Sequence, residues 1–566
     1  MSNKSKKFSN QVPGNKGKPT GATKQSKSSN ARKRKSGNRN NSNSKNTKAD
    51  MRAVQFMERD TDVTVDQGNQ GVNHISWYNA IPAVYQSAFS VATMPSLGWN
   101  IDYASYSTNI SYHKDFDTIP GVMSIEFAPT VGRASSALDP INKVAEAIWK
   151  KFRTGITSNG WYEPADLMMY FMAADSIYMM WNHLKRAYGV AQWYDARNRY
   201  LPDALLRAMG FNPHDEYLTM HLPSLRLALN KIKAKMATFH VPADMTIMSR
   251  HSWLVSNVFA DKDPSVTDMS QIYVFRPTYA YVAALGKLTS VPLGYGDTTM
   301  SVLETINTIE NMIDMMGQHL DAIKFSAEVD RVYQGRICTL DDIEEGYELG
   351  IAYNPDLLCQ VKNMTIVVDV NPGDIEQIVD NPETEDARSI IIQSISYELS
   401  DNPNIPKLSG AVLLNFRKAQ PTNDDVCYAT RLKFSSHRPA GNEKWEFTYG
   451  SEIVTNTYVW FYAETSAGYK LQCSNVQYNR KIMSGSATTF NDVVNDLHLT
   501  SAFDNYPNYE LYYEVKSYTN ASDYTDGALQ GKYQFGSREN VALLTHAQLA
   551  TMHEAALMSE FNYPSN

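Results

Sequence analysis

Fourteen lysines and arginines crowd the first 48 residues: Lys4, Lys6, Lys7, Lys16, Lys18, Lys24, Lys27, Arg32, Lys33, Arg34, Lys35, Arg39, Lys45 and Lys48. No Asp or Glu accompanies them, the first acid being Asp50. Cations at this density, without counter-charges, neutralise a polyphosphate without reading its bases. If all fourteen met phosphates of a duplex, log K would fall against log salt with a slope of about −12. Phe8 is the sole aromatic of the stretch, and almost everything else is Ser, Asn, Gly, Thr, Gln or Pro. Such a segment has no apolar face to offset its ordering entropy, so residues 1–49 are expected to be a disordered basic arm. A solubility tail or an import signal at Arg32-Lys33-Arg34-Lys35 is the plainer alternative, and the charge density favours RNA or DNA over both.

Other residues with chemical potential fail on spacing. Gly17-Lys18 lacks the glycine five positions before Gly17 and is followed by Pro19, so it is no phosphate loop. His553-Glu554 opens like a zinc-protease helix, but Leu557 stands where the second histidine belongs. No G-x-S-x-G elbow occurs. Tyr295-Gly-Asp297 reads as a turn rather than a metal-binding hairpin. The acids Asp341, Asp342, Glu344 and Glu345 read as a solvated face. No catalytic residue, metal set or cofactor is assigned.

The whole chain of 566 residues carries 53 basic and 60 acidic side chains, a formal −7. Removing the arm's fourteen leaves 39 basic against 60 acidic, or −21, on residues 49–566. A body that acidic would not bind nucleic acid over its whole surface, so the arm must do that work. The length allows two or three domains with large cores. Thirty-four tyrosines suit extensive interfaces, where the ring packs and the hydroxyl stays wet. Cys338, Cys359, Cys427 and Cys473 form no Cys-x-x-Cys pair and are expected to be free thiols. No apolar run is long enough to span a bilayer, and no apolar segment follows the basic start as in a secretory signal. A soluble protein made inside the cell is expected, which leaves the sequons at Asn109, Asn363 and Asn520 as chance matches.

The elements that must carry any site follow in order. Residues 50–76 are polar and read as a hinge, with order expected from Trp77-Tyr78. The end of Ile119–Phe127 alternates like a short strand. Helices are expected from Asp139-Pro140 to Phe152, over Ala165–Tyr188 after Glu163-Pro164, from Pro202 to Gly210, and over Leu222–Phe239 and Pro242–Phe259. The second is apolar around most of its circumference and should sit at the centre of the core. Ser301-Val-Leu-Glu304 matches a capping box ahead of a stripe from Val302 to Leu320. After residue 350 short β-branched or aromatic runs take over: Thr365–Val370, Ser389–Leu399, Ala411–Phe416, Cys427–Phe434, Lys444–Tyr449, Thr455–Ala463, Lys470–Tyr478 and Tyr509–Tyr518. Thr545-His-Ala-Gln548 then caps a last helix through Phe561. The fold class is α+β: a mainly helical domain over 77–350, a β-rich domain over 351–535 inserted before a C-terminal helix at 536–566, and the arm.

Several stretches of this body, in shared order, resemble the capsid protein of picobirnaviruses, small viruses with a double-stranded RNA genome. They are Ala165-Asp-Leu-Met-Met-Tyr170 continuing through Ala174-Asp-Ser-Ile-Tyr178, Ile119-Pro-Gly-Val-Met123 with Phe127-Ala-Pro-Thr130, and Tyr200-Leu-Pro-Asp-Ala-Leu-Leu206 with Met209-Gly210. Pro242-Ala-Asp-Met-Thr246, Arg250-His-Ser-Trp253, Gln271-Ile-Tyr273, Phe275-Arg-Pro277 and Leu549-Ala-Thr-Met-His-Glu554 continue the series. The resemblance is weak over about 350–535. It implies a coat protein whose dimers assemble into an icosahedral shell around RNA and a packaged viral polymerase, with a helical shell domain and an outward projection. It implies a virion protein synthesised in the host-cell cytoplasm. It also implies self-cleavage in some members behind the N-terminal segment, releasing a peptide that disturbs membranes; residues 51–73 are the candidate region. A non-assembling RNA-binding or chaperone protein, or an enzyme with a dispersed site, are the alternatives.

Overall fold

The computed structural model describes residues 77–78, 81–89, 92–95, 121–154, 162–192, 201–263, 265, 271–367, 370–380, 388–396, 412–437, 446–465, 468–476, 480–483, 496–497, 499–501, 503–514, 517–518, 524–525, 529–535 and 540–563. The basic arm and the hinge lie outside them. All described residues belong to one compact unit, residues 60–566.

In chain order the elements are α1 (Pro82–Phe89), β1 (Ala92–Pro95), β2 (Val122–Pro129), α2 (Pro140–Arg153), α3 (Pro164–Gln192), α4 (Leu201–Ala208), α5 (Glu216–Thr219), α6 (Leu222–Met236), α7 (Thr246–Ser256) and β3 (Val258–Ala260). There follow β4 (Ile272–Pro277), β5 (Tyr279–Ala284), β6 (Lys287–Pro292), α8 (Val302–His319), α9 (Ala322–Tyr333), β7 (Ile351–Ala352), α10 (Pro355–Asn363), β8 (Ile375–Asp380), β9 (Arg388–Gln393), β10 (Val412–Phe416) and α11 (Asn423–Thr430). The chain closes with β11 (Ser435–His437), β12 (Glu446–Thr448), β13 (Glu452–Thr465), β14 (Gly468–Val476), β15 (Arg480–Met483), β16 (Tyr509–Glu514), β17 (Ser517–Tyr518), β18 (Tyr524–Thr525), β19 (Leu529–Phe535), β20 (Asn540–Leu544) and α12 (His546–Glu560).

Helix α3 is the axis of the larger core. It starts at Pro164, whose fixed φ suits a first helical position, and the Asp166 side chain accepts from the Glu163 amide at 2.8 Å. From Leu167 to Val190 every residue is buried. Trp181 has no exposed surface and donates its indole N–H to the Leu229 carbonyl of α6 at 2.9 Å. A helix apolar on nearly every side can only persist inside, and α2, α7, α8 and β5 pack around this one.

A six-stranded mixed sheet, in the order β14-β13-β2-β4-β3-β7, divides the interior. Strand β2 is buried along its whole length, antiparallel to β13 and parallel to β4. Its odd residues Met123, Ile125 and Phe127 join a second core with Trp253, Phe259 and Val459. Its even residues face the α3 side, where Val122 packs, Ser124 donates to the Ala208 carbonyl at 2.8 Å, and Glu126 meets Arg276. The alternation in the sequence is thus real, but its polar positions are as buried as its apolar ones. Strands β7, β13 and β14 follow residue 350, whereas β2, β3 and β4 precede it, so that boundary falls inside one sheet. β20 likewise lies between β1 and β10.

Some elements differ from expectation. Cys427–Phe434 is not a strand: α11 covers Asn423–Thr430, and Thr422 with Asp425 forms a reciprocal capping box. Thr365–Val367 forms no strand yet is buried, its amides reaching the Leu432 and Val454 carbonyls. The helix expected over 242–259 begins at Thr246 and ends at Ser256, because Pro242–Met245 forms a turn and Val258 enters the sheet. At Ser301 the helix starts as expected, but the Ser301 side chain makes no capping bond. The Asp215 carboxylate takes that role, accepting from the Val302 amide at 3.2 Å. At Thr545 the capping box is complete.

Candidate functional site

The fourteen arm residues proposed to bind RNA, Lys4 through Lys48, lie outside the described residues. Among the described residues, no three His, Cys, Asp or Glu side chains are grouped to hold a metal ion, and no helix is long and apolar enough to cross a membrane. His553 is a core histidine: its ring sits 2.7 Å from the Thr430 carbonyl and 3.1 Å from the Thr448 hydroxyl. Burial pushes its pKa down to about 3. Asp341, Asp342, Glu344 and Glu345 are exposed, with Asp342 3.0 Å from Lys233. Asn363 is buried and exchanges two hydrogen bonds with Asn415, which suits no glycan. All four cysteines are free thiols.

What the fold does assemble is a buried ionic cluster at the junction of seven segments. Arg250 of α7 sends its three guanidinium nitrogens to three partners, each at 2.8 Å: Nε to Glu452 of β13, Nη1 to the Tyr78 hydroxyl, Nη2 to Gln360 of α10. Next to it, His251 meets Asp175 of α3 at 2.7 Å and lies 3.8 Å from Glu452. Arg431, just past α11, joins Glu560 of α12 at 2.5 Å and the Ser451 hydroxyl at 3.0 Å, with Glu452 4.0 Å away. The side chains of Arg250, Glu452 and Glu560 are wholly buried. Three cations therefore face three carboxylates where water cannot screen them.

The electrostatics follow from that enclosure. Burial pushes the Glu452 carboxyl up, but Arg250, Arg431 and His251 outweigh it and hold it below its ordinary value. Burial opposes a charged His251, yet Asp175, Glu452 and Glu560 raise it to about 9. For Glu560 burial wins over Arg431, and its pKa is raised. Sealed from solvent, these groups can clamp distant segments together. Removing one partner would strand a buried charge.

A second buried knot lies on the α3 side of the sheet. Arg276 of β4 sits 3.3 Å from Glu126 of β2 and donates to the Gly296 and Thr298 carbonyls at 2.7 and 2.9 Å. Gly296 returns its amide to Glu126 at 2.7 Å. The Tyr295-Gly-Asp297 turn is thus pinned by the sheet. Gly210, at φ +85°, presses on the same guanidinium; a Cβ there would fall 2.5 Å from the Arg276 Cζ.

The stretches carrying the resemblance converge on these two knots. Asp175, Arg250 and His251 belong to the first, and Gly210 and Arg276 to the second, while Glu126 falls between two of those stretches. Sequence reasoning missed Arg431, Glu452 and Glu560. No local pattern distinguishes them from surface charges.

Comparison with known proteins agrees. The model of the picobirnavirus capsid protein family matches residues 77–511, so the likeness continues through the region expected to be weak. A capsid protein precursor of human picobirnavirus is 24% identical over 546 residues, covering 91% of this chain and 95% of its own length. A crystal structure of a picobirnavirus capsid superposes with a TM-score of 0.64 at 17% identity, over 87% of this chain and 99% of that one. The fold, the buried knots and these matches lead to one statement: the chain belongs to the picobirnavirus capsid protein family.

Proposed function

We propose that this chain assembles, as dimers, into a closed icosahedral shell around double-stranded RNA, and that the basic arm holds the RNA from within. The observation that carries this reading is the charge division: fourteen cations and no acid in residues 1–48, joined to a body of formal charge −21. Inside a shell the arm's local concentration keeps it on phosphate without base contacts, while an acidic body stays off it. Packaging of a polymerase along with the RNA rests on the family resemblance alone. The free thiols support synthesis in the host cytoplasm. Release of an N-terminal peptide that acts on membranes, by cleavage within residues 51–73, belongs to the proposal as well. The projection is formed by the part of residues 351–535 that leaves the central sheet, the β15-β16-β19 sheet above all. Residues 50–76 serve as the hinge and 536–566 as the returning helix.

Negative-stain electron microscopy of the chain expressed alone tests the proposal. Uniform closed particles that protect RNA from nuclease are expected. Only monomers or dimers across salt and pH would favour a free RNA-binding protein or an enzyme. Intact N-termini on every chain of assembled particles, by mass spectrometry, would remove the cleavage step.

A further inference from the structure

Exposed apolar side chains are ordinary when scattered singly. On the α5–α6–α8 face three of them gather: Met220 is 72% exposed, Leu227 62% and Leu303 44%. We propose that this face is a contact between two copies of the chain, with α6 of each lying along α8 of the other. The proposal rests on the shell-forming reading above.

Two ion pairs fix how the helices lie. Lys231 reaches Glu310 at 2.9 Å and Lys235 reaches the same carboxylate at 3.6 Å. Leu227 stands one turn before Lys231 on the same stripe of α6, and Leu303 two turns before Glu310 on the same stripe of α8. Both leucines therefore stand along the outward side of the seam between these helices. The inward stripes are separate and buried: Leu225, Leu229 and Ile232 on α6, Ile306, Ile309 and Ile313 on α8. Asp215, which caps α5 and also accepts from the Val302 amide, brings the end of α5 and its Met220 beside the start of α8.

Charge selects the occupant. The outer side of α6 carries Lys231 and Lys235, and that of α8 carries Glu304, Glu310 and Asp314. A two-fold axis through the seam sets the basic ridge of each copy on the acidic ridge of the other, with the leucines between them. An apolar centre with a charged rim is the usual anatomy of a protein contact. A nucleic acid fits poorly, because the acidic ridge would repel its phosphates.

The test compares assembly of the full chain, its L227D/L303D variant and its E304K/D314K variant, with L285D as control; Leu285 is 86% exposed at the β5–β6 turn. Light scattering against protein concentration reads assembly, and thermal unfolding confirms each fold. Both double variants should raise the midpoint concentration for assembly about tenfold or more, at unchanged Tm, while L285D assembles like the parent. Parent-like assembly of both double variants, or equal loss in L285D, would overturn the inference alone. A parent that never assembles would overturn the shell reading and this contact with it.

Discussion

Arg250 and Glu452, 202 residues apart in the chain, meet at 2.8 Å with neither side chain exposed. Around them Asp175, His251, Arg431 and Glu560 complete a cluster that ties α3, α7, β13 and α12 into one body. Such a pair is worth little against a well-packed apolar substitute, but breaking it from one side is costly. Glu452→Gln keeps the shape and removes the charge that faces Arg250 and His251. It should cost about 3–5 kcal/mol in urea unfolding of the full chain. A loss under about 1 kcal/mol would contradict the cluster's role as a clamp.

The same cluster sets a pH dependence. His251 is held at about 9 in the folded protein, against about 6.5 when unfolded. Because the folded value is the higher one, this stabilisation is complete below pH 6.5 and is lost as pH rises from 6.5 through 9. Linkage puts its full size at about 3 kcal/mol. His553, held at about 3, stays neutral throughout that window. Calorimetry should therefore find Tm falling between pH 7 and 9, and His251→Asn should flatten that slope even though it lowers Tm overall. An undiminished slope in the variant would assign the effect elsewhere.

Two helix starts with the same sequence pattern should respond differently to mutation. Thr545 accepts from the Gln548 amide at 3.2 Å, and Gln548 returns a bond to the Thr545 amide at 2.8 Å. Thr545→Ala should cost about 1 kcal/mol. Ser301→Ala should cost a few tenths at most, since its hydroxyl caps nothing. Asp215→Ala should exceed Ser301→Ala, because its two oxygens cap α5 and α8 together. Chemical denaturation of the three variants gives the order directly.

Trp181 tests the axis of the core. Its side chain is fully enclosed between α3 and α6, so Trp181→Ala should cost about 3–5 kcal/mol in the same assay. A cost below about 1 kcal/mol would mean that the α3 core collapses around the cavity.

Helices were legible where periodicity and start signals agreed. Asp139-Pro140, Glu163-Pro164 and Thr545 each stand at an observed start, and the all-round apolar character of α3 foretold its burial. Local signals failed where tertiary contacts decide. Cys427–Phe434 is β-branched and aromatic in part, yet Thr422 and Asp425 commit the chain to α11. Pro242–Met245 could not be told from a helix start, because what holds it as a turn is its pairing with the distant Arg336 and Ile337. The clamp was half legible: Asp175, Arg250 and His251 sat in stretches shared with a known family, whereas Glu452 and Glu560 become partners only through the topology. The arm was legible as chemistry alone, from its fourteen cations and missing acids.

The measurement closest to the central claim compares nuclease-protected RNA per particle for the full chain and for a variant lacking residues 1–48. Closed particles from the full chain that protect RNA are expected, with an unchanged unfolding profile for the shortened body, RNA retention reduced at least about tenfold, and retention by the full chain falling steeply as salt rises. Equal RNA in particles of both proteins would contradict that claim and move RNA binding to the acidic body.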